Sequence, residues 1–185
     1  MITSKNRTKH LLCSALMTLL NNQKRSFESI TINEICEQAI IHRTTFYTHF
    51  SDKFALFQYL YRALTKQRMN YSIVERIYEP FRISAELKQV HALHIATELT
   101  RKSKTMKDFI EPLMYEAIAL DLKSMQYTTN LNIPEQLLIE HLRATLLTLD
   151  HYWIQEANHL QAMEIDHYYQ QLIKPIFKTT HHSHS

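Results

Sequence analysis

The chain has 185 residues, a formal net charge of +3, two cysteines, four prolines and no glycine. Tight turns with positive φ are costly without glycine, so hairpin-rich β architectures are excluded, as are phosphate-cradling loops and nucleophile elbows. Abundant Leu, Ala, Lys, Glu, Gln and Met predict an all-α protein instead.

Residues 4–22 carry a helical stripe of Leu11, Leu12, Ala15, Leu16, Leu19 and Leu20. Lys5, Arg7 and Lys9 crowd its first turns against the helix dipole, so those cations are expected to serve another purpose. Phe27 is expected to plug the core. Thr31-Ile32-Asn33-Glu34 spells a capping box, predicting a short helix over 32–39 with Ile32, Ile35, Cys36 and Ala39 inward. "IIH" then turns the chain into a second short helix over 43–49, with Phe46 and Phe50 to the core. Ser51 is expected to cap the next helix, and Asp52 to complement its dipole. That helix runs on as "KFALFQYLYRAL".

Two short helices around a tight turn, braced by one helix before and one after, describe a helix-turn-helix. Arg43, Thr44, Thr45, Tyr47, Thr48 and His49 then form an outward hydrogen-bonding face suited to a major groove and its phosphates. Surface helices that only meet water favour Glu, Lys and Gln over Thr and Tyr. The charge agrees. Residues 1–68 hold ten Lys/Arg against four Asp/Glu, and residues 69–185 hold eleven against fourteen, a basic head on a slightly acidic body.

The stretch "ITINEICEQAIIHRTTFYTHFSDKFALF" resembles the DNA-binding signature of TetR-family transcriptional regulators. The resemblance covers residues 8–60, and its most specific part is Phe46-Tyr47-x-His49-Phe50 followed by Asp52 and Lys53. It implies that Arg43, Thr44 and Thr45 approach base edges or phosphates, that Tyr47 and His49 touch the backbone or a thymine methyl, and that Lys53 holds a phosphate. Thr31 would anchor its helix N-terminus on another phosphate, and Phe46 and Phe50 would be core. Two positions depart from the family: Ile40 stands where glycine is usual in the turn, and His42 where a small cap is usual. A β-branched residue is poor at φ > 0, so a reshaped or strained turn is expected. His42 caps poorly but suits a phosphate.

In the body, Pro80 should break or bend the chain. Helices are predicted over 84–101, 107–127 (with Pro112 near its start), 135–157 and 163–177, with "TTNLNIP" a loop and the tail 179–185 disordered. The division expected is a head over 1–50 and a regulatory and dimerisation body over 51–178. The resemblance implies that the last two helices form a four-helix dimer interface, with Leu138, Leu142, Thr145, Tyr152 and Trp153 facing Tyr168 and Leu172. Trp153 as intrachain core is the competing reading. A small-molecule effector pocket lined by Tyr78, Phe81, His94, Phe109, Met114, Tyr115 and Trp153 competes with a reading of those residues as ordinary core.

Twelve histidines raise a metal reading. His91 and His94 share a helix face, and Glu156-x-x-His159 and Glu164-x-x-His167 have the spacing of di-iron bundles. The two Glu-x-x-His pairs straddle a helix end, so no metal site, no cofactor and no enzyme are expected. Cys13 and Cys36 sit on apolar faces, poor places for a reactive thiolate. With no apolar run near the ~20 residues of a membrane span and a polar, basic start, a cytoplasmic protein with reduced thiols and no membrane partner is expected. The expected function is a homodimeric regulator bound to a palindromic double-stranded operator, most simply a repressor released by an effector. A body that answers to a protein partner or a metal is the alternative, and a helical-bundle metalloenzyme the remote one.

Overall fold

The structure, a computed structural model, describes residues 4–21, 26–87, 98–99, 101–125, 129 and 131–177. Its helices are α1 (Ser4–Leu20), α2 (Ile32–Ala39), α3 (Arg43–Tyr47), α4 (Lys53–Arg68), α5 (Ile73–Tyr78), α6 (Pro80–Glu86), α7 (Lys104–Met125), α8 (Glu135–Gln155) and α9 (Ala162–Ile173). A 3-10 turn, Phe27–Ser29, links α1 to α2, and another, Lys174–Ile176, follows α9. Among the described residues there is no strand, only a bridge between Thr129 and Phe177. The protein is all-α.

The head is built by local rules. The Thr31 hydroxyl accepts from the Glu34 amide, and the Glu34 carboxylate accepts from the Thr31 amide at 2.8 Å, the predicted capping box. Asp52, rather than the expected Ser51, caps α4: its Oδ1 accepts from the Ala55 amide at 2.8 Å. A carboxylate is the better acceptor beside the positive helix end. Ile40 occupies the left-handed region at φ 56°, ψ 48°, the conformation glycine would supply, and its side chain is 93% exposed. The turn therefore keeps its shape at an order-of-magnitude cost of about 1 kcal/mol or more for a β-branched residue.

Two cores stack along the molecule. The first gathers Leu12, Leu16, Phe27, Ile35, Phe46 and Leu56 with Met106, Ile110 and Met114 of α7. An aromatic chain runs through it: Phe27 meets Phe54 and Phe57 edge-on, and both meet Phe109. The second core joins Ile77, Phe81 and Leu122 to Leu138, Leu142, Ile165 and Ile173. Helix α7 reaches from one core to the other.

In the body, Pro80 breaks the chain between α5 and α6 as expected, and Pro112 departs from expectation. Pro80 starts α6 at the first helical position, where its missing N–H costs nothing. A capping box not anticipated, Ser72 with Glu75, starts α5 just before it. Pro112 lies inside α7, not near its start, on the solvent side where water can satisfy the carbonyl it frees. Most of the helix predicted over 84–101 lies outside the described residues; its first residues belong to α6. Buried Asp166 of α9 accepts from the Phe81 amide at 2.9 Å and the Arg82 amide at 2.7 Å, capping α6 from across the body. Burial pushes this carboxyl up to about 7.

Candidate nucleic-acid interface and body cavity

Helix α3 buries one side chain, Phe46, and turns Arg43, Thr44 and Tyr47 to solvent, with Thr45 half-buried. Thr48 and His42 are exposed beside it and His49 is half-buried. His42 makes no side-chain cap bond, as its shape predicts. Arg43 is held in place before any partner arrives. Its Nη1 donates to Asn33 Oδ1 at 2.9 Å, its Nη2 to the Tyr47 hydroxyl at 3.1 Å, and its guanidinium lies 5.5 Å from the Tyr47 ring centre. Asn33 on α2 was not singled out by the sequence; it sits one position past Ile32, on the outer face of its helix, which was the available signal. Thr31 is exposed, but its hydroxyl already donates to Glu34.

Lys53 has a different place from the one implied for it. Its ammonium donates to the carbonyls of Phe27, Glu28 and Ile30 at 2.9, 2.8 and 2.7 Å, and lies 4.9 Å from the Phe27 ring centre. An ammonium has three donors, so none is left for a phosphate in this conformation. Lys53 ties α4 to the 3-10 turn. Partial burial pulls its pKa down, and Glu28 opposes that shift. Glu28 in turn accepts from the hydroxyl of Ser103, just ahead of α7, so the same turn is joined to the body. The misplaced cations of α1 also find a use: Lys9 lies 4.7 Å from the Tyr59 ring centre and 5.7 Å from that of Phe50. Cys13 and Cys36 are buried free thiols, and burial pushes Cys13 up to about 12, which leaves no thiolate to react.

The expected dimer residues divide. Leu138 and Leu142 are buried inside the chain, a correction to their outward placement. Trp153 packs edge-on against Phe81 and donates Nε1 to the Leu160 carbonyl at 3.0 Å, so it belongs to the intrachain core. Thr145 is half-buried and its hydroxyl donates to the His141 carbonyl at 2.8 Å. Tyr152, Tyr168 and Leu172 are exposed, and Leu137 and Met163, not anticipated, are exposed with them. On α8 the outward residues are Leu137, His141, Ala144, Thr148 and Tyr152, a spacing of three and four that was legible in the sequence.

The expected pocket residues do not come together either. Phe81 stacks with Trp153 and Tyr169, and Tyr78 with Phe177, in the second core; Tyr115 packs against the same core. Phe109 belongs to the aromatic chain of the first core, and His94 lies outside the described residues. Met114 alone of them lines a cavity of about 110 Å³ between α4, α5, α6, α7, α8 and α9. Its polar wall is an ionic triad that sequence reading missed. Arg76 Nε donates to Asp121 Oδ1 at 2.9 Å, and Arg68 Nη2 lies 3.5 Å from Asp121 Oδ2. The signal was a charge inside an apolar stretch: Asp121 in "AIALDL". Of the Glu-x-x-His residues, Glu164 accepts from the Gln161 amide as part of a capping box. Among the described residues, no three His, Cys, Asp or Glu side chains gather as metal ligands would. No described helix is long and apolar enough to cross a membrane.

Residues 23–60, from the segment between α1 and α2 through α3 into α4, match the model of the bacterial regulatory proteins of the tetR family. The whole chain is similar in fold to a TetR transcriptional regulator from Streptococcus agalactiae 2603V, with TM-score 0.62, 21% identity, and coverage of 91% of this chain and 94% of that one. A TetR-family protein from Syntrophomonas wolfei gives TM-score 0.62 at 16% identity over 93% of this chain and 95% of that one. One from Rhodococcus sp. gives 0.64 at 11% over 92% and 98%. No curated protein matches the chain. The head, residues 23–60, thus matches the bacterial regulatory proteins of the tetR family, and the chain as a whole shares the fold of solved TetR-family regulators.

Proposed function

We propose that the protein works as a homodimer that reads a palindromic operator with α3 and releases it when the body binds an effector, acting as a repressor. The observation that carries this reading is the outward face of α3. Arg43 is fixed by Asn33 and Tyr47, and Thr44, Tyr47 and Thr48 are exposed around it. A pre-set guanidinium suits bidentate reading of a guanine edge, and the hydroxyls suit phosphates or neighbouring bases. Thr45, His42 and His49 flank that surface, and Thr31 sits at the N-terminus of α2, where free amides favour a phosphate.

One head makes few contacts, and two-fold repetition multiplies them at half-sites ~34 Å apart. The exposed row of Leu137, Tyr152, Met163, Tyr168 and Leu172 on α8 and α9 supports pairing through those helices, with Ala144 and Thr148 small enough for close approach. Release follows from the span of α4. Its first turn holds the link beside α3 through Lys53, and its last turns line the cavity through Leu64, Thr65 and Arg68.

The test is selection of random DNA duplexes by the purified protein near physiological salt, read by sequencing. A palindrome bound by two chains is the expected result. Recovery of salt-sensitive bulk binding alone would reject sequence reading by α3.

A further inference from the structure

The cavity wall is unbalanced in charge. Arg68 and Arg76 face a single carboxylate, Asp121. Arg76 is only 8% exposed and is well held: besides Asp121, its Nη1 donates to the Tyr71 carbonyl at 3.0 Å. Arg68 is held loosely, 3.5 Å from Asp121 and 3.3 Å from the Arg76 carbonyl. Two other acidic groups reach this wall with their fields: Asp166, which lies outside the lining and is taken up by the Phe81 and Arg82 amides, and Glu116, which is exposed and lines an adjoining groove with Arg62 and Lys66. One positive charge therefore faces the cavity without a matching anion in its wall.

The remaining lining suits an apolar body with one anionic end. Leu64, Ile118, Leu142 and Leu146 supply the apolar part. Burial pushes the phenols of Tyr61 and Tyr169 up, Tyr61 to about 12, so both stay protonated and able to donate. A cavity of about 110 Å³ is many times the ~10–15 Å³ that admits one water on the same measure, enough for a compact organic molecule.

We propose that this cavity takes a small monocarboxylate with an apolar body, its carboxylate seated on Arg68 and Arg76 and displacing the loose Arg68–Asp121 contact. A planar guanidinium is the side chain best matched to a carboxylate, and two of them facing one Asp leave donors for a second. Arg68 stands in the last turn of α4, so drawing it from Asp121 acts on the helix that begins beside α3. This regulatory half rests on the reading of the protein as an effector-released regulator; the ligand class does not.

The test uses the full chain, with calorimetric titration of benzoate, hexanoate and octanoate against benzyl alcohol, hexylamine and octylamine. At least one carboxylate should bind about tenfold or more tighter than its neutral and cationic counterparts. Arg68→Gln should lose about tenfold of that affinity and Arg68→Lys should recover part of it, because lysine keeps the charge and loses the fork. Arg68 is preferred to Arg76 for substitution, since the Arg76–Asp121 pair stays intact and the fold is kept. Preference for the amines or alcohols, absence of binding by every carboxylate, or an Arg68→Gln variant with unchanged affinity would each overturn the ligand class. The selected duplex is titrated in parallel. Carboxylate binding through Arg68 that leaves DNA affinity unchanged would uphold the ligand class and sink effector release.

Discussion

Arg43 in the head and Arg76 in the body are both guanidiniums held by a polar partner, and they differ in what surrounds them. Arg43 is exposed, and its bonds to Asn33 and Tyr47 compete with water. Such bonds orient a side chain while adding little to stability. Arg76 is buried against Asp121, where an ionic group without its partner is severely penalised. The head can therefore change the exposed side chains proposed to read DNA with little effect on folding. In the body, the proposed ligand contacts and stability share the same atoms.

The sharpest way to break this contrast is Asp121→Ala. It leaves two cations facing an apolar cavity and should lower unfolding free energy by roughly 3–5 kcal/mol in a urea titration. A loss within about 0.5 kcal/mol would show that the triad is solvated like the surface pairs. Next comes Lys53→Met, which strips the donor from three carbonyls at once. A loss of about 1–3 kcal/mol in stability is expected. DNA binding per folded molecule should keep its salt dependence, whereas a flattened slope would return Lys53 to a phosphate. Arg43→Ala should leave stability within about 0.5 kcal/mol and weaken specific DNA binding by roughly 1–3 kcal/mol, measured by competition against bulk DNA. Equal loss on both kinds of DNA would mean that Arg43 meets only the backbone. The smallest effect is a gain: Ile40→Gly relieves the left-handed turn and should raise stability by about 1 kcal/mol, read as a higher urea midpoint. No gain would mean that the exposed Ile40 side chain compensates its own strain.

The head was readable because its rules are local. The capping box spans four residues, the turn is marked by its anomalous Ile40, and Phe46 and Phe50 keep helical spacing around a polar face. What escaped was the second use of side chains already assigned. The family resemblance implies a phosphate for Lys53, and the three carbonyls it binds instead lie 23 to 26 positions earlier. In the body, aromatic residues suggested a pocket, but Phe81, Phe109 and Trp153 fill the two cores. The cavity lies where charged residues meet instead. Arg76 and Asp121 are 45 positions apart, and no periodicity within one helix reveals such a pair. The outward row on α8 was present in the spacing, but buried Leu138 and Leu142 lie next to it and were read in its place.

Asp166 carries a consequence for the order of folding. The first turn of α6 takes its cap from a residue 84 and 85 positions later in the chain, whereas the hydrogen bonds within the head span 3 to 26 positions and the contact of Lys9 with Tyr59 spans 50. Short loops close first, and long closures delay the contacts that depend on them. On a ribosome the head can complete itself while α9 is still unmade, and α6 must wait with bare amides until the last helix docks. The helix-turn-helix head is thus assembled before the body is complete.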